Sequence, residues 1–240
     1  MYTFRKEGDT VGDLFYTGKA KKTGSGSMYV SCKGAPDIVK KLQKLENGGR
    51  VAIERTVSDF TTRAPAWVSK GIREHYGVDT AAIKDAATMP KRGKTSIKVA
   101  GITVDGATLE YKGRTLTPTH FKMSPKQRPE GQQNQYTRVP GQAIAGAGDV
   151  AMIKPPKKYT VKATIIKGSR ASLPPGTFIA SANGGSTLPF QRKGEGRAME
   201  AVRTLSVPQM IDGRARETIE KTISEKLGQR FEHHIQQATK

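Results

Sequence analysis

The stretch SVPQMIDGRARETIEKTISEKLGQRFEHHIQ, residues 206–236, reads as one long helix with an apolar side chain at every fourth position. Ile211, Ala215, Ile219, Ile223, Leu227, Phe231 and Ile235 form that row. Four residues turn an α-helix by about 400°, so the row drifts by about 40° per step and winds through roughly 240° in six steps. A single flat partner covers a stripe of only about 100–120°. More than one surface must therefore meet this helix. Either its own sheet and N-terminal helices enclose the row, or part of it, taken here as Ile219, Ile223, Leu227, Phe231 and Ile235, meets a neighbouring subunit. Ser206, with Gln209 three residues on, has the form of a capping box and marks the helix start.

The rest of the 240 residues must supply what packs on this helix, as one large domain or two small ones. Residues 1–27, with TGKAKKTGSGS, read as a flexible basic arm. MYVSCKG (28–34) reads as a strand. Pro36 and Asp37 open a helix, and a second helix runs from Val51 to about Tyr76, kinked or split at Pro65. A short helix over 78–86 is capped by Asp79 or Thr80. From Thr95 the period becomes alternating: TSIKVAGITV and ATLEYKGRTLT are strands, with turns expected at Asp105-Gly106 and Lys112-Gly113. Residues 124–158, rich in Gly, Gln, Pro and Lys, read as a long inserted loop without structure of its own. YTVKATIIKG, GTFIASA and TLPFQRK resume the strands. Helices, then strands, then a helix predict an α+β fold, with an antiparallel β-sheet packed against N-terminal helices and a long C-terminal helix. Residues 28–240 would form that single domain.

Charge suggests a polyanionic partner. Lys and Arg number 41 against 21 acidic residues, a formal +20. Such an excess fits nucleic acid or an acidic protein surface. Cys32 is the single cysteine and allows no internal disulfide, which fits a reducing cytoplasm. No apolar run approaches the ~18–20 residues that span a bilayer, so no membrane partner is expected.

Motifs for chemistry are sparse. Gly93-Lys94-Thr95 resembles the end of a phosphate-binding loop, but Thr88 stands where its first glycine belongs. GAGDVA (146–151) lacks the preceding strand of a dinucleotide site. Glu232-His233-His234 has no Cys or His at ligand spacing and reads as a solvated helix end favoured by the dipole. The best enzymatic candidate is Glu110-Tyr111-Lys112, which a metal-dependent nuclease would complete with Asp79 or Asp85. No catalytic residues, metal or cofactor are assigned.

In order and spacing, several segments are similar to the prophage minor tail protein Z family of long-tailed bacteriophages, whose lambda-type member is called the tail completion protein. They are MYVSCKGAPDIVKKL, WVSKGIREHYGVDTAAIKDA, LTPTHFKMSP, YTVKATIIKGSRASLPPGTFIASANGG, FQRKGEG, LSVPQM and the ending RFEHHI. Together they span about residues 28–240; residues 1–27 and much of 124–158 fall outside the pattern. The resemblance implies a non-enzymatic virion protein at the head–tail junction, with a fold like the phage neck and tail-terminator proteins. It implies a ring, six copies being expected, assembled in the host bacterial cytoplasm, with tail-tube, terminator or head-completion proteins as neighbours. A neighbouring copy would then cover part of the winding row. DNA passes through such a junction, and Lys91, Arg92, Lys94, Lys154, Lys157 and Lys158 would face either DNA or acidic surfaces of neighbouring proteins. A free nucleic-acid-binding protein and the nuclease are the alternatives.

Overall fold

The computed structural model describes residues 14–17, 22–45, 47–83, 96–129, 135–138, 150–154, 159–182, 185–193 and 198–239. In chain order its elements are β1 (Tyr16–Thr17), β2 (Lys22–Ser31), α1 (Ala35–Gln43), α2 (Asn47–His75), β3 (Ser96–Ile102), β4 (Gly106–Arg114) and β5 (Lys122–Ser124). There follow β6 (Gln135–Arg138), β7 (Val150–Lys154), β8 (Lys162–Thr164), β9 (Ala171–Ser172), β10 (Phe178–Ser181), β11 (Thr187–Arg192), β12 (Met199–Arg203), α3 (Val207–Asp212) and α4 (Arg216–Ala238). The fold is α+β. Among the described residues the strands form sheets ordered β1-β12-β11-β10, β2-β4-β3, β5-β8-β9 and β6-β7, and every pairing is antiparallel.

The C-terminal stretch begins as its sequence dictates. Ser206 caps α3: the Gln209 N–H donates to Ser206 Oγ at 3.3 Å, and the Ser206 N–H donates to Gln209 Oε1 at 2.9 Å. The expected single helix is broken at Gly213–Ala215, however. Tyr76, just past α2, reaches into the break, and its hydroxyl accepts the Arg214 N–H at 3.2 Å. A Cβ at Gly213 would sit 2.9 Å from both that hydroxyl and the Gln209 carbonyl oxygen, so only glycine fits there.

The winding row lies wholly inside this chain. Ile219, Ile223, Leu227 and Phe231 are 0% exposed and Ile235 is 6% exposed. This corrects their assignment to a subunit interface, because the monomer itself has removed them from solvent. Their main partner is α2, whose buried face steps by four in the same way: Ala52, Thr56, Phe60, Ala64, Val68 and Ile72, continued by Tyr76. The two helices run antiparallel. Near one end a Cβ on Gly71 would lie 2.7 Å from Ile219 Cγ1, and at the other Gly48 adjoins Ala238. Each row winds too far for one partner, so α1, α3, β2 and β4 close α4 where α2 does not. Burying each large apolar side chain of the row stabilises by about 1.5–3 kcal/mol.

Pro65 sits within α2, which remains one helix. Its missing N–H leaves the carbonyl of Thr61 without a helical partner, and Thr61 lies on the exposed side. The Asp105-Gly106 turn between β3 and β4 is present; Lys112-Gly113 is not a turn but part of β4, paired with β2 and β3. Two stretches expected to lack structure contain strands. In the arm, Leu14 and Phe15 are buried and Tyr16–Thr17 pair with β12, while β2 begins at Lys22. Within 124–158, β6 and β7 form a hairpin. Cys32 is buried beside β2 and its N–H donates to the Asp105 carbonyl at 2.6 Å. Burial, with the nearby Asp105 charge, pushes its pKa from 9.0 up to about 11, which suits a packing residue rather than a nucleophile.

Candidate functional site

The outward face of the β2-β4-β3 sheet holds the sequence's best enzymatic candidate. Ser27, Glu110 and Lys98 stand side by side across the three strands, and Ser96 pairs with Lys112. They border a cleft of about 370 Å³. Alternation along β4 sends Tyr111 the other way, into the core, where its hydroxyl donates to the Asp212 carboxylate. Burial, reinforced by that hydrogen bond and the Asp212 charge, holds the phenol far above its ordinary range. Tyr111 is thus a structural tie between sheet and helix.

Among the described residues no second acid stands beside Glu110. Asp79 lines a different cleft, beside β5 and β8, and Asp85 lies outside the described residues. The neighbours of Glu110 are serines and lysines, and the described residues contain no group of three His, Cys, Asp or Glu side chains able to hold a metal.

In Glu232-His233-His234 the first two residues are exposed, as expected of a solvated helix end, and the third is not. His234 is nearly buried, with its side chain 12% exposed, against α2. There Asp59 gathers three basic side chains: Arg63 on its own helix, Arg230 at 3.2 Å and the imidazole of His234 at 3.8 Å. Neither ring nitrogen of His234 has a hydrogen-bond partner among the described residues. Glu232 faces Lys41 of α1 at 3.4 Å. The motif joins α1, α2 and α4; its role here is in packing.

Of the basic side chains assigned to DNA or acidic partners, Lys91, Arg92, Lys94, Lys157 and Lys158 lie outside the described residues. Lys154 ends β7. A broader signal was present in the sequence but hidden by the whole-chain count. Residues 111–193 carry 14 Lys and Arg against two acids, Glu130 and Asp149, which leaves 27 against 19 in the other 157 residues. The excess is concentrated in the segment that builds β5, β8 and β9.

Comparison with protein-family models, with curated proteins and with solved structures finds no match for this chain. Among the described residues no helix is long and apolar enough to cross a membrane.

Proposed function

We propose that this chain is a structural subunit of the head–tail junction of a long-tailed phage, with a fold of the neck and tail-terminator kind. The observation that carries this reading is the ordered set of segments resembling the minor tail protein Z family across residues 28–240. The α+β fold is compatible with it, and several segments coincide with structural units. MYVSCKGAPDIVKKL forms the end of β2 and most of α1, LSVPQM is the capped start of α3, and RFEHHI carries α4 past Asp59. The basic excess suits a protein beside DNA.

In this reading the protein acts as a ring of six copies, between tail and head proteins, in a virion assembled in the bacterial cytoplasm. Because α4 spends its apolar row inside the monomer, the contacts between copies use other surfaces. Deleting the coding sequence from an inducible prophage tests the proposal. The expected particles are DNA-filled heads and full-length tails that do not form infectious virions, with infectivity restored when the protein is supplied in trans. Arrest before DNA packaging or capsid formation would exclude a junction role.

A further inference from the structure

We infer that the cleft beside β5 and β8 is a binding site for the phosphate backbone of duplex DNA. The inference stands on the cleft's own chemistry, whether or not the head–tail reading holds. The cleft measures about 390 Å³; Lys122, Lys126 and Arg170 border it, together with the hydroxyls of Thr119, Ser124 and Thr164. On the sheet, Lys122 pairs with Thr164 and Ser124 with Lys162, so Lys122 and Lys162 are diagonal neighbours on the outward face, about 7–8 Å apart.

Three observations select the ligand. First, Lys122, Lys126, Lys162 and Arg170 are exposed and none forms an ion pair with a described residue. Residues 111–129 and 150–193 contain no Asp or Glu at all. Their charge faces outward without an ion-pair partner among the described residues. Second, the cations are not confined to the cleft: Lys122, Lys126 and Arg170 border it, and Lys162 extends the row along β8 beside Lys122, which suits a repeating anion better than a single small one. Between them stand Ser and Thr hydroxyls, which commonly donate to phosphate oxygens. Third, Phe121 and Met123 under the cleft are 1% and 5% exposed. Among its described lining residues the cleft therefore offers no exposed apolar patch for a protein partner and no exposed aromatic ring on which an unpaired base would stack. Backbone contact to a duplex remains, independent of sequence. Among the described residues Asp79 is the one carboxylate at the rim, and it opposes the ligand.

The test uses the full chain and a short fluorescent duplex of mixed sequence, with anisotropy read at graded salt. Each lost phosphate contact lowers the slope of log K against log salt by about 0.9. The triple variant Lys122→Gln, Lys126→Gln, Arg170→Gln should lose roughly 2–3 of that slope. A control triple of ion-paired cations, Lys33→Gln, Lys41→Gln, Arg216→Gln, changes net charge equally and should keep it. Asp79→Asn should tighten binding about two- to threefold, as removal of one opposing charge near the duplex predicts. Circular dichroism confirms that each variant is folded. Equal slope loss in both triples would show bulk charge alone and overturn the site. So would displacement of the duplex by inorganic phosphate at matched ionic strength, which marks a small-anion site. Polyglutamate binding that depends on the three cations, with no duplex binding, would assign the cleft to an acidic protein and overturn it as well.

Discussion

Six cations in and beside the helical layer are answered by carboxylates of the chain, whereas those of the small β5-β8-β9 sheet are not. In the first, Lys33, Lys41, Arg50, Arg63, Arg216 and Arg230 each face a carboxylate of the same chain. On the second, Lys122, Lys126, Lys162 and Arg170 form no ion pair with a described residue, although Asp79 borders the same cleft. Charge that is answered inside the molecule supports the fold and has little left for a partner. Charge that is unanswered adds self-repulsion to the fold and is retained where something outside answers it. Net charge alone does not distinguish the two; the distribution of carboxylates does.

The largest effect belongs to the helical layer. Phe231→Ala should cost about 3–5 kcal/mol, as truncation of a fully buried aromatic does, and Ile223→Asp should prevent folding because it buries an unpaired charge. Denaturant unfolding should report the loss for Phe231→Ala equally at low and high protein concentration, since α2, α1, β2 and β4 of the same chain enclose the row. A loss that grows on dilution would mean that a second copy covers the row. The helical layer would then be a partner surface too, and the contrast would collapse.

What the sequence disclosed follows from how locally each feature is determined. The cap at Ser206 was legible because both of its bonds lie within four residues. The α+β class was legible because the period changes at Thr95. The partner of the α4 row was written in α2 with the same four-residue step, yet Thr56 and Ala64 make that row look mixed. Thr56 is nevertheless 0% exposed, its hydroxyl donating to the Ala52 carbonyl at 2.8 Å. The arm's Leu14 and Phe15 were missed because the strand that follows them pairs with Val202 and Arg203, far along the chain. The β6–β7 hairpin was missed because its connecting residues 139–149 are rich in Gly and Ala and carry no strand pattern. For the candidate site, the enzymatic motif was visible at Glu110 but not its surroundings. The unpaired cations were visible only as part of a pooled count.

A smaller effect separates paired from unpaired charge inside the helical layer. Asp59 balances Arg63, Arg230 and His234 in a site where Arg230 is 26% and His234 12% exposed. Asp59→Asn keeps the shape and removes the charge that holds these groups, and should cost about 1–3 kcal/mol. Arg50→Gln breaks an ion pair whose side chains are 84% and 63% exposed, and should change the unfolding free energy by only a few tenths of a kcal/mol. Equal effects for the two would show that Asp59 is solvated and does not organise the α2–α4 contact.

The smallest effect carries the comparison in its sign. Lys41 lies in the last turn of α1 and faces Glu232, so Lys41→Gln loses both an ion pair and a favourable dipole interaction. That should cost about 0.3–1 kcal/mol at low salt. Among the described residues lining the cleft, the polar neighbours of Lys122 are cations and hydroxyls, apart from Asp79. Lys122→Gln should therefore leave stability unchanged or raise it by a few tenths of a kcal/mol, as relief of like-charge repulsion does. Both differences should fade as salt approaches 1 M, where the Debye length falls to about 3 Å. Paired thermal melts at low and high salt check the signs. If Lys122→Gln destabilised as much as Lys41→Gln, and salt removed the loss, Lys122 would have a carboxylate partner within the chain. Its charge would then belong to the fold, and only Lys126, Lys162 and Arg170 would remain to face outward.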